Sequence, residues 1–399
     1  MMEFQELRLK PKADQRLRTG HLWVYSNEVE SNLKQFQPGE LANLATASGK
    51  PLGTVMVNPH HLICGRIFSR ASGQPLSHKF IRHRLESALR LRSQVFDQPY
   101  YRLVFGDSDG LPGLVVDRFG PTVVVQVSLA GMEHALPEII SALNVVVEPT
   151  TIVLKNDGKL RSSEGLDSYV RVEQGQLLAG GLVELEENGT RFLAPVLAGQ
   201  KTGWFYDHRL NRERLCHYAR GKRVLDVCSY IGGWGVQAAR AGADQVLCLD
   251  TSAFALDLAL QNAQLNGLEG KLAILEGDAF SAMKSLRDSG ERFDVIILDP
   301  PAFIPRRKDY KEGRLAYSRL NQLALRLMSQ EGILASASCS MHLSQDDLLD
   351  VVRASGRQID RQVQILEIGH QGPDHPVHPA IAETQYIKSL LARVGPAEY

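Results

Sequence analysis

The sequence predicts a multidomain α/β protein with a small N-terminal β-barrel, a central α+β domain and a C-terminal domain built on a parallel sheet. The chain has 399 residues, which is more than one ordinary hydrophobic core holds. Its first 75 residues alternate short apolar runs with turn residues, as small β-domains do. From about residue 200 onward, strand-like runs alternate with helical stretches, which is typical of a parallel sheet covered on both faces.

The first two domains are assigned from local patterns. Runs such as HLWVYSNEV and LICGRIF indicate short strands within residues 1–75. The segment LSHKFIRHRLESALRLRSQVF carries apolar residues at spacings of three and four, which predicts an amphipathic helix. It opens a central domain over residues 76–185, which mixes one further helix with the strand-like runs PGLVVDRFG, TVVVQVSL and TTIVLKND.

Five strand-like runs define the sheet of the third domain, residues 186–399. They are KRVLDVCS, QVLCLD, KLAILEGD, FDVIILDPP and GILASASCS. The helical stretches between them are GVQAARAGA, ALDLALQNAQLNG, AMKSLRDSG and SRLNQLALRLMSQE. Ligands bind such sheets at the carboxyl ends of the strands, so the residues at these ends are the candidate functional residues.

Composition limits the possible partners and compartments. Lysine plus arginine equals aspartate plus glutamate at 45 each, so only local basic patches could indicate nucleic acid. The N-terminal segment MMEFQELRLKPK lacks the apolar core of a signal peptide, and no run of about 18 apolar residues predicts a membrane span. The 5 cysteines form no CxxC pair, so we expect a cytoplasmic protein without structural disulfides or a zinc cluster.

The first two strand ends predict a ligand of the adenosine type. The first strand ends in LDVCSYIGGWG, where Gly232, Gly233 and Gly235 let backbone N–H groups approach a ligand. Asp250 ends the second strand, and its carboxylate can accept hydrogen bonds from both hydroxyls of a ribose. The run GWGVQA also fits the dinucleotide fingerprint G-x-G-x-x-A, so a NAD-dependent dehydrogenase is an alternative at this point.

The remaining strand ends predict a nucleobase and a nucleophile. Asp278 in EGDAF could meet the amino edge of an adenine. In DPPAF two prolines hold a rigid turn that presents Asp299, and Phe303 offers a stacking face for a base. The fifth strand brings Cys339 to the same edge. A thiolate can add to C6 of a pyrimidine and so activate C5 toward a methyl sulfonium, whereas the alternative for Cys339 is simple packing.

These motifs resemble those of class I S-adenosylmethionine-dependent methyltransferases, and more narrowly the PUA-domain-containing 23S ribosomal RNA cytosine 5-methyltransferases of bacteria. The resemblance lies in DVCSYIGGWG, LDTS, QNAQLNG, EGDAF, DPPAF and SASCS, and outside the sheet in LRTGHLWVYSNEV, GDSDGLPGLVVDRFG, GQKTGWFYDHRLNR and DHPV. It covers nearly the whole chain. It implies a PUA-like RNA-binding β-barrel, a central α+β domain and a Rossmann-like class I methyltransferase domain.

The resemblance also implies roles for individual residues. Cys339 would be the nucleophile, and Asp299 would contact the cytosine edge. The cofactor would be S-adenosyl-L-methionine, and the residues expected to bind it are Lys201, Thr202, Phe205, Asp207, Arg209, Ser229, Gly232, Asp250, Asp278 and Asp299. The sequence departs from the family at Ala302, where a lysine is frequent, and at Ile231 and Trp234 in the glycine loop.

The partner implied by the resemblance is 23S ribosomal RNA of the large subunit, with no membrane; a homodimer is one arrangement that the sequence leaves open. RNA contacts need positive charge. Two segments supply it, with the residues Arg8, Lys10, Lys12, Arg16 and Arg18 in one and Arg306, Arg307, Lys308, Lys311 and Arg314 in the other. Three histidines near the C-terminus, His370, His375 and His378, have no cysteine partner, so we expect no metal.

Three alternatives to cytosine C5 methylation stay open. DPPAF distantly resembles the [DN]PP[FY] motif of enzymes that methylate an exocyclic base nitrogen, and that chemistry needs no thiol. The others are the dehydrogenase and a non-catalytic RNA-binding assembly factor that keeps the cofactor fold. We favour methylation of C5 because it is the reaction that uses Cys339.

Overall fold

The computed structural model describes residues 4–397, so the first three residues of MMEFQELRLKPK lie outside the described part. The chain divides into two compact units. Unit 1 consists of Met1–Glu184, Ala194–Tyr206 and Pro373–Thr384, and unit 2 consists of Leu185–Leu193, Asp207–Gly372 and Gln385–Tyr399.

Unit 1 begins with a five-stranded sheet. Its elements are β1 (Glu6–Arg8), α1 (Gln15–Arg18), β2 (Trp23–Tyr25), β3 (Glu40–Ala45), β4 (Pro51–Val57) and β5 (Ile63–Ser69). The strand order is β1-β3-β4-β5-β2, with β1 and β3 parallel and the other pairs antiparallel. The apolar residues that predicted these strands, such as Leu7, Leu44 and Val55, point into the core and are 0% exposed.

A second sheet follows in unit 1. Its elements are α2 (His78–Val95), β6 (Tyr100–Phe105), β7 (Leu114–Phe119), β8 (Thr122–Val127), α3 (Ala130–His134), α4 (Leu136–Val146), β9 (Thr151–Asn156), α5 (Leu160–Ser163) and β10 (Tyr169–Gln174). The strand order is β10-β9-β8-β7-β6. The predicted amphipathic helix is confirmed as α2, which begins where the Ser77 hydroxyl accepts the N–H of Phe80. A hairpin of β11 (Leu182–Glu187) and β12 (Thr190–Pro195) comes next.

Unit 2 contains a seven-stranded sheet. Its strands are β13 (Arg223–Val227), β14 (Gln245–Asp250), β15 (Leu272–Glu276), β16 (Phe293–Leu298), β17 (Met328–Ser338), β18 (Arg361–Gly369) and β19 (Lys388–Pro396). Its helices are α6 (Arg209–Cys216), α7 (Gly235–Arg240), α8 (Ala253–Leu265), α9 (Ala279–Asp288), α10 (Tyr310–Leu327) and α11 (Gln345–Arg357). The strand order is β15-β14-β13-β16-β17-β19-β18. The five predicted strands are parallel, which confirms the predicted sheet, whereas β18 and β19 pair antiparallel.

The boundary between α10 and β17 corrects one prediction. The stretch SRLNQLALRLMSQE was expected to be helical throughout, but α10 ends at Leu327 and Met328 begins β17. Met328 pairs with Phe293 of β16 and is 2% exposed. Burial of this apolar side chain at the sheet stabilises the extended backbone more than one further helical turn would.

The helices within residues 4–397 were compared with the length and hydropathy that a membrane span requires. None of them is both long enough and apolar enough to cross a membrane.

Candidate functional site

The loop after β13 turns sharply at the carboxyl edge of the unit 2 sheet. Cys228 and Tyr230 have left-handed backbones, with φ values of 61° and 51°, and Gly232 has a φ of 81°. A Cβ atom on Gly232 would lie 2.9 Å from a methyl carbon of Val236, so both conformation and packing require glycine here. The sharp turn and the glycine at position 232 agree with the loop that the sequence predicted, and its approach to a ligand stays a prediction.

Asp250 holds this loop from the end of β14. Its Oδ2 accepts the backbone N–H of Tyr230 at 2.9 Å, and its Oδ1 accepts the N–H of Ser252 at 3.0 Å. Each carboxylate oxygen can accept a second hydrogen bond. Asp250 therefore keeps the capacity to accept from two neighbouring hydroxyls, which is what a ribose would offer.

Two other predicted cofactor residues have structural contacts of their own. Ser229 is 3% exposed, and its backbone N–H donates to the carbonyl of Leu249 at 3.1 Å. Asp278 is exposed and caps α9, because its carboxylate accepts the N–H of Ser281 at 3.0 Å. Their contacts with a cofactor stay predictions.

A buried carboxyl group supports the loop from below. Asp226 of β13 is 0% exposed, and its Oδ2 accepts the N–H of Gly235 at 2.8 Å. Burial, with a smaller contribution from the charge of Asp299, raises the pKa of Asp226 to about 7. The carboxyl group that anchors the glycine loop therefore titrates near neutral pH.

Asp299 follows β16 and is held by two rings. Its Oδ2 accepts the indole N–H of Trp234 at 3.0 Å, and its Oδ1 lies 3.4 Å from Nε2 of His208. Burial opposes ionisation of Asp299, but the positive charge of His208 and the hydrogen bond from the Trp234 N–H outweigh it, so the pKa of Asp299 is lowered. Burial likewise opposes protonation of His208, and the carboxylate outweighs it, so the pKa of His208 is raised. Asp299 is thus a fixed, ionised acceptor.

Cys339 occupies a turn after β17 that its polar neighbours fix in place. The Ser338 hydroxyl donates to the hydroxyl of Tyr317 at 2.8 Å, which lies 2.9 Å from the hydroxyl of Ser340. Ser340 Oγ in turn accepts the backbone N–H of Ile304 at 3.1 Å. Ser338 and Ser340 are 0% exposed, whereas Cys339 is half-buried. The serines therefore order the turn and leave the thiol at the sheet edge.

Three other cysteines are in environments that disfavour reactive thiolates. Burial raises the pKa of Cys64, Cys216 and Cys228 to about 12. Cys248 is fully buried and its pKa is also raised. This supports the interpretation of these four cysteines as structural.

The DPPAF turn leads into the second basic segment. Phe303 packs 4.9 Å from the ring of Tyr317, so one face of it belongs to the core. Arg306 pairs with Asp309 at 2.9 Å, and Arg314 pairs with a carboxylate of α11. Three exposed side chains form no ion pair within the described residues, namely Arg307, Lys308 and Lys311. These carry the charge that RNA contacts would use.

The N-terminal basic segment has less free charge. Arg8, Arg16 and Arg18 each pair with a carboxylate, and Lys10 donates to the backbone carbonyl of Asn27. This segment is therefore the weaker candidate for an RNA contact.

The segment GQKTGWFYDHRLNR is divided between the units. Lys201, Thr202 and Phe205 belong to unit 1, where the Thr202 hydroxyl donates to Asp117 at 2.6 Å. The ammonium of Lys201 lies 4.6 Å from the centre of the Phe205 ring. Within unit 1, Thr202 therefore has a structural partner, and Lys201 is the exposed member of this group.

Asp207 and Arg209 belong to unit 2 and are buried there. Asp207 accepts the hydroxyl of Tyr386 at 2.6 Å. Arg209 lies 3.6 Å from Glu187, a buried carboxylate that also pairs with Arg212 at 2.6 Å. Both predicted residues thus stabilise the start of α6, and their contacts with a cofactor stay predictions.

The C-terminal histidines lie in different parts of the fold. His375 belongs to unit 1, where its Nδ1 lies 2.9 Å from the carboxylate of Asp374. Across residues 4–397, no group of three or more histidine, cysteine, aspartate or glutamate side chains is arranged to hold a metal ion.

Sequence patterns missed two residues of this site. His208 lies between Asp207 and Arg209, two residues that were predicted to belong to the site. Its position between them was the sequence signal that could have identified it. Lys388 opens β19 and is 6% exposed. The single lysine that begins the apolar run KSLLA could have identified this residue, because lysine is rarely buried unless it has a specific partner.

The strand order, the glycine loop and the carboxylates at successive strand ends define a Rossmann-like enzyme of the class I methyltransferase type. Residues 7–70 match the family model of a PUA-like domain, and residues 166–386 match that of an S-adenosylmethionine-dependent methyltransferase. Ribosomal RNA large subunit methyltransferase I of Erwinia tasmaniensis is 34% identical over 381 residues, which cover 94% of this chain and 95% of the relative. The same-named protein of Cronobacter sakazakii is 34% identical over 378 residues, with the same coverage.

Solved structures show the same fold. An S-adenosylmethionine-dependent methyltransferase from Streptococcus mutans superposes with a TM-score of 0.83 at 20% identity, covering 98% of this chain and 100% of that one. A methyltransferase complexed with S-adenosylhomocysteine gives a TM-score of 0.83 at 21% identity, with the same coverage. The chain belongs to the S-adenosylmethionine-dependent methyltransferase family, and within it to the group of ribosomal RNA large subunit methyltransferase I. This membership excludes the dehydrogenase interpretation.

The residues at the sheet edge fit the cofactor that the family uses. S-adenosylmethionine carries a ribose with two hydroxyls and a positively charged sulfonium. Asp250 has acceptor capacity for the hydroxyls, and the carboxylates of Asp278 and Asp299 follow the next strands of the same parallel edge.

Proposed function

We propose that this chain methylates C5 of a cytosine in 23S ribosomal RNA of the large subunit, through a covalent bond between Cys339 and C6 of the base. The relatives' names support the RNA substrate, and the residues at the sheet edge support the base and the atom. The domain division that accompanies this proposal is a PUA-like barrel over residues 1–75, a central domain over residues 76–185 and a methyltransferase domain over residues 186–399.

One observation carries the proposal. Ser340 Oγ accepts the N–H of Ile304 at 3.1 Å, so the Cys339 turn is tied to the DPPAF turn that begins with Asp299. The strands that precede the two turns are adjacent and parallel, with Leu298 opposite Ser336. A thiol and an ionised carboxylate thus share one edge, as attack on an amino-pyrimidine requires.

The first role belongs to Cys339. Its thiolate adds to C6, the C5–C6 double bond supplies the electron pair, and C5 becomes nucleophilic. Bound S-adenosylmethionine would supply the methyl group: the new bond to C5 forms as the S–CH3 bond breaks, and the neutral thioether S-adenosylhomocysteine is the leaving group. Loss of the C5 proton to a base then restores the double bond, and the sulfur leaves C6 as the thiolate. Cys339 is therefore unchanged after one cycle.

The second role belongs to Asp299. Cytosine carries an amino group at C4, and a carboxylate accepts from that group. Uracil carries a carbonyl oxygen there, which would face the ionised Asp299 without a proton between them. Because Trp234 and His208 hold the carboxylate in place, Asp299 would select cytosine over uracil.

The proposal also includes the partner and the cellular compartment. The partner is ribosomal RNA, contacted by the exposed charges of the loop after DPPAF, and the reaction takes place in the cytoplasm, where this RNA is made. A homodimer stays a prediction.

The proposal is tested with RNA from a strain that lacks this protein. The purified protein and radiolabelled S-adenosylmethionine should place one methyl group on C5 of a cytosine in 23S RNA, mapped by mass spectrometry of nuclease fragments. A transcript with uracil at the mapped position should accept no methyl group. Methyl on an exocyclic nitrogen, or RNA binding without transfer, would contradict the proposal.

A further inference from the structure

Unit 1 contains a groove that the methyl-transfer proposal does not use. It lies between β5, α2 and the turn after β6, and its volume is about 530 Å³. One part of the wall is apolar, formed by Leu22, Phe68 and Leu91 among others. The other part is polar and includes Arg70, Arg84, Ser87 and Ser108. A groove of this size holds one nucleotide.

The charges around this groove are unequal. Both carboxylates of the groove have positively charged partners. Asp109 forms a bidentate ion pair with Arg92, with N–O distances of 2.7 and 2.8 Å. Asp107 accepts the indole N–H of Trp23 at 3.0 Å and lies 3.5 Å from Arg66. Among residues 4–397, neither Arg70 nor Arg84 of the groove forms an ion pair with a carboxylate.

Arg70 and Arg84 hydrogen-bond only to backbone carbonyls within the described residues, at 3.3 and 3.4 Å. Neither therefore has a carboxylate to balance its charge. Nε of Arg84 and the hydroxyl of Ser108 are buried without any hydrogen-bond partner in that part of the chain. Buried donors that lack acceptors are costly, so their presence in a groove indicates an acceptor that binds there.

We propose that this groove binds one nucleotide of the RNA chain, with its phosphate against Arg70 and Arg84 and its base against the apolar wall. A phosphate supplies the oxygen acceptors and the negative charge that the guanidinium groups lack. The apolar wall can pack against the face of a base, and because every base has such a face this contact does not depend on the RNA sequence. This inference rests on the proposed RNA substrate.

The salt dependence of RNA binding tests this site. The probe is a fluorescent 12-nucleotide single-stranded RNA. Each phosphate contact contributes about 0.7 to the slope of log K against log salt for a single strand. Arg70→Gln and Arg84→Gln should each lower the slope by about that amount and weaken binding about 3- to 10-fold. Ser87→Trp should weaken binding by filling the groove without removing a charge.

A matched control comes from the same helix. Arg90 is exposed on α2 and does not line the groove, so Arg90→Gln removes one charge without touching the site and should leave the slope unchanged. Cytidine 5′-monophosphate at millimolar concentration should compete with the RNA for the wild-type protein. If the groove variants keep the wild-type slope and affinity, or lose only mononucleotide binding, the assignment is wrong. If the wild type binds no RNA, the proposed function itself fails.

A second inference comes from unit 2 and depends on different atoms. Lys388 opens β19 opposite Ser338, the last residue of β17 before Cys339. Its ammonium is buried and donates to the backbone carbonyls of Ser340 at 2.5 Å and Tyr386 at 2.8 Å. Lys388 is therefore a buried charge beside the proposed nucleophile Cys339, and it is hydrogen-bonded to Ser340, the residue that follows Cys339.

The geometry points to Lys388 as a positioning residue, which holds the Cys339 turn through the Ser340 carbonyl and supplies the positive charge beside which the thiol ionises. Burial lowers the pKa of Lys388 to about 8, and Cys339 acts in the opposite direction. The positive charge of a neighbouring lysine favours the thiolate form of a cysteine. This inference deepens the proposed role of Cys339.

Alkylation of Cys339 by iodoacetamide tests the pair without RNA or cofactor. The thiolate sulfur displaces iodide, so the rate against pH reports ionisation of the thiol. Lys388→Gln keeps an N–H donor for the Ser340 carbonyl but loses the charge. It should raise the midpoint of the profile by about one pH unit and slow alkylation at pH 7 about tenfold. Lys388→Arg should restore most of the rate.

The controls separate charge from structure. Lys311→Met removes an exposed lysine and should leave the profile unchanged. Cys216, measured in the same digest, should stay unreactive up to pH 9 in every folded variant, because burial raises its pKa to about 12. If folded Lys388→Gln keeps the wild-type midpoint, the charge of Lys388 does not act on Cys339. That result would leave the methyl-transfer proposal standing, since wild-type transfer is measured separately.

Discussion

Asp250 offers the sharpest test of the cofactor site. Replacing it with alanine removes the acceptor for the N–H groups of Tyr230 and Ser252, at 2.9 and 3.0 Å. It also removes the remaining lone pairs, which in the proposed site would accept from the ribose hydroxyls. A hydrogen bond to a charged group contributes about 1.5–3 kcal/mol, and part of it returns as hydration in the variant. We therefore expect Asp250→Ala to weaken binding by about 1–3 kcal/mol, which is about 5- to 150-fold in the dissociation constant.

Isothermal calorimetry with S-adenosylhomocysteine measures this change. Asp250→Asn keeps one acceptor oxygen and should fall between the wild type and the alanine variant. Asp257→Asn is the matched control, because Asp257 is exposed on α8, and it should bind as the wild type does. Unchanged affinity in a folded Asp250→Ala protein would refute the assignment of Asp250 to the cofactor.

Three further predictions concern stability and RNA binding. Since burial raises the pKa of Asp226 to about 7, the folded state keeps a proton that the unfolded state releases above about pH 4. The free energy of unfolding of the wild type should therefore fall as the pH rises from about 4 to about 7. Asp226→Asn lacks this titration, so its free energy of unfolding relative to the wild type should increase by about 2–4 kcal/mol between pH 4 and pH 8 in urea titrations. Arg92→Met leaves the Asp109 carboxylate and two backbone carbonyls without their donor, so urea titration should show a loss of about 3–5 kcal/mol. Replacing Arg307 and Lys308 with glutamine should weaken RNA binding and flatten its salt dependence in fluorescence titrations.

Each of these predictions has a control and a contradicting result. Asp244→Asn alters an exposed carboxylate and should show no such pH dependence; a pH-independent Asp226→Asn would mean that Asp226 is ionised in the fold. Arg82→Met breaks only an exposed pair and should change stability by less than about 1 kcal/mol, so an equal effect of Arg92→Met would contradict the buried pair. The variant with glutamine at positions 307 and 308 should keep the wild-type affinity for the cofactor. If the salt dependence of its RNA binding is also unchanged, these two side chains do not contact RNA.

The parallel sheet was predictable because each of its strands is a continuous apolar run that ends in a polar residue. The run FDVIILDPP shows this: its apolar residues form β16, and the two prolines end the strand after Leu298. The same pattern failed at Met328, because an apolar residue at the end of a helical stretch fits the helix and the following strand equally well.

The partners of the site residues were less predictable, because they come from distant parts of the chain. The Trp234 indole that holds Asp299 lies 65 residues from it, and no local periodicity reports that contact. The tail motif DHPV resembles the family but carries no pattern that predicts its contacts. In the structure Asp374 accepts the N–H of Arg102 at 3.0 Å, a contact across 272 residues. Such contacts depend on tertiary packing, which spacing along the sequence does not record.

The central claim is that Cys339 bonds covalently to the cytosine, and trapping with 5-fluorocytosine RNA tests it most directly. Fluorine at C5 replaces the proton that must leave, so the adduct between sulfur and C6 persists after methyl transfer. We predict a protein–RNA species that survives denaturing electrophoresis, requires S-adenosylmethionine, and is absent with Cys339→Ala, although that variant still folds and binds the cofactor. If Cys339→Ala methylates unmodified RNA at near the wild-type rate, the thiol only packs, and methylation of an exocyclic nitrogen becomes the better account.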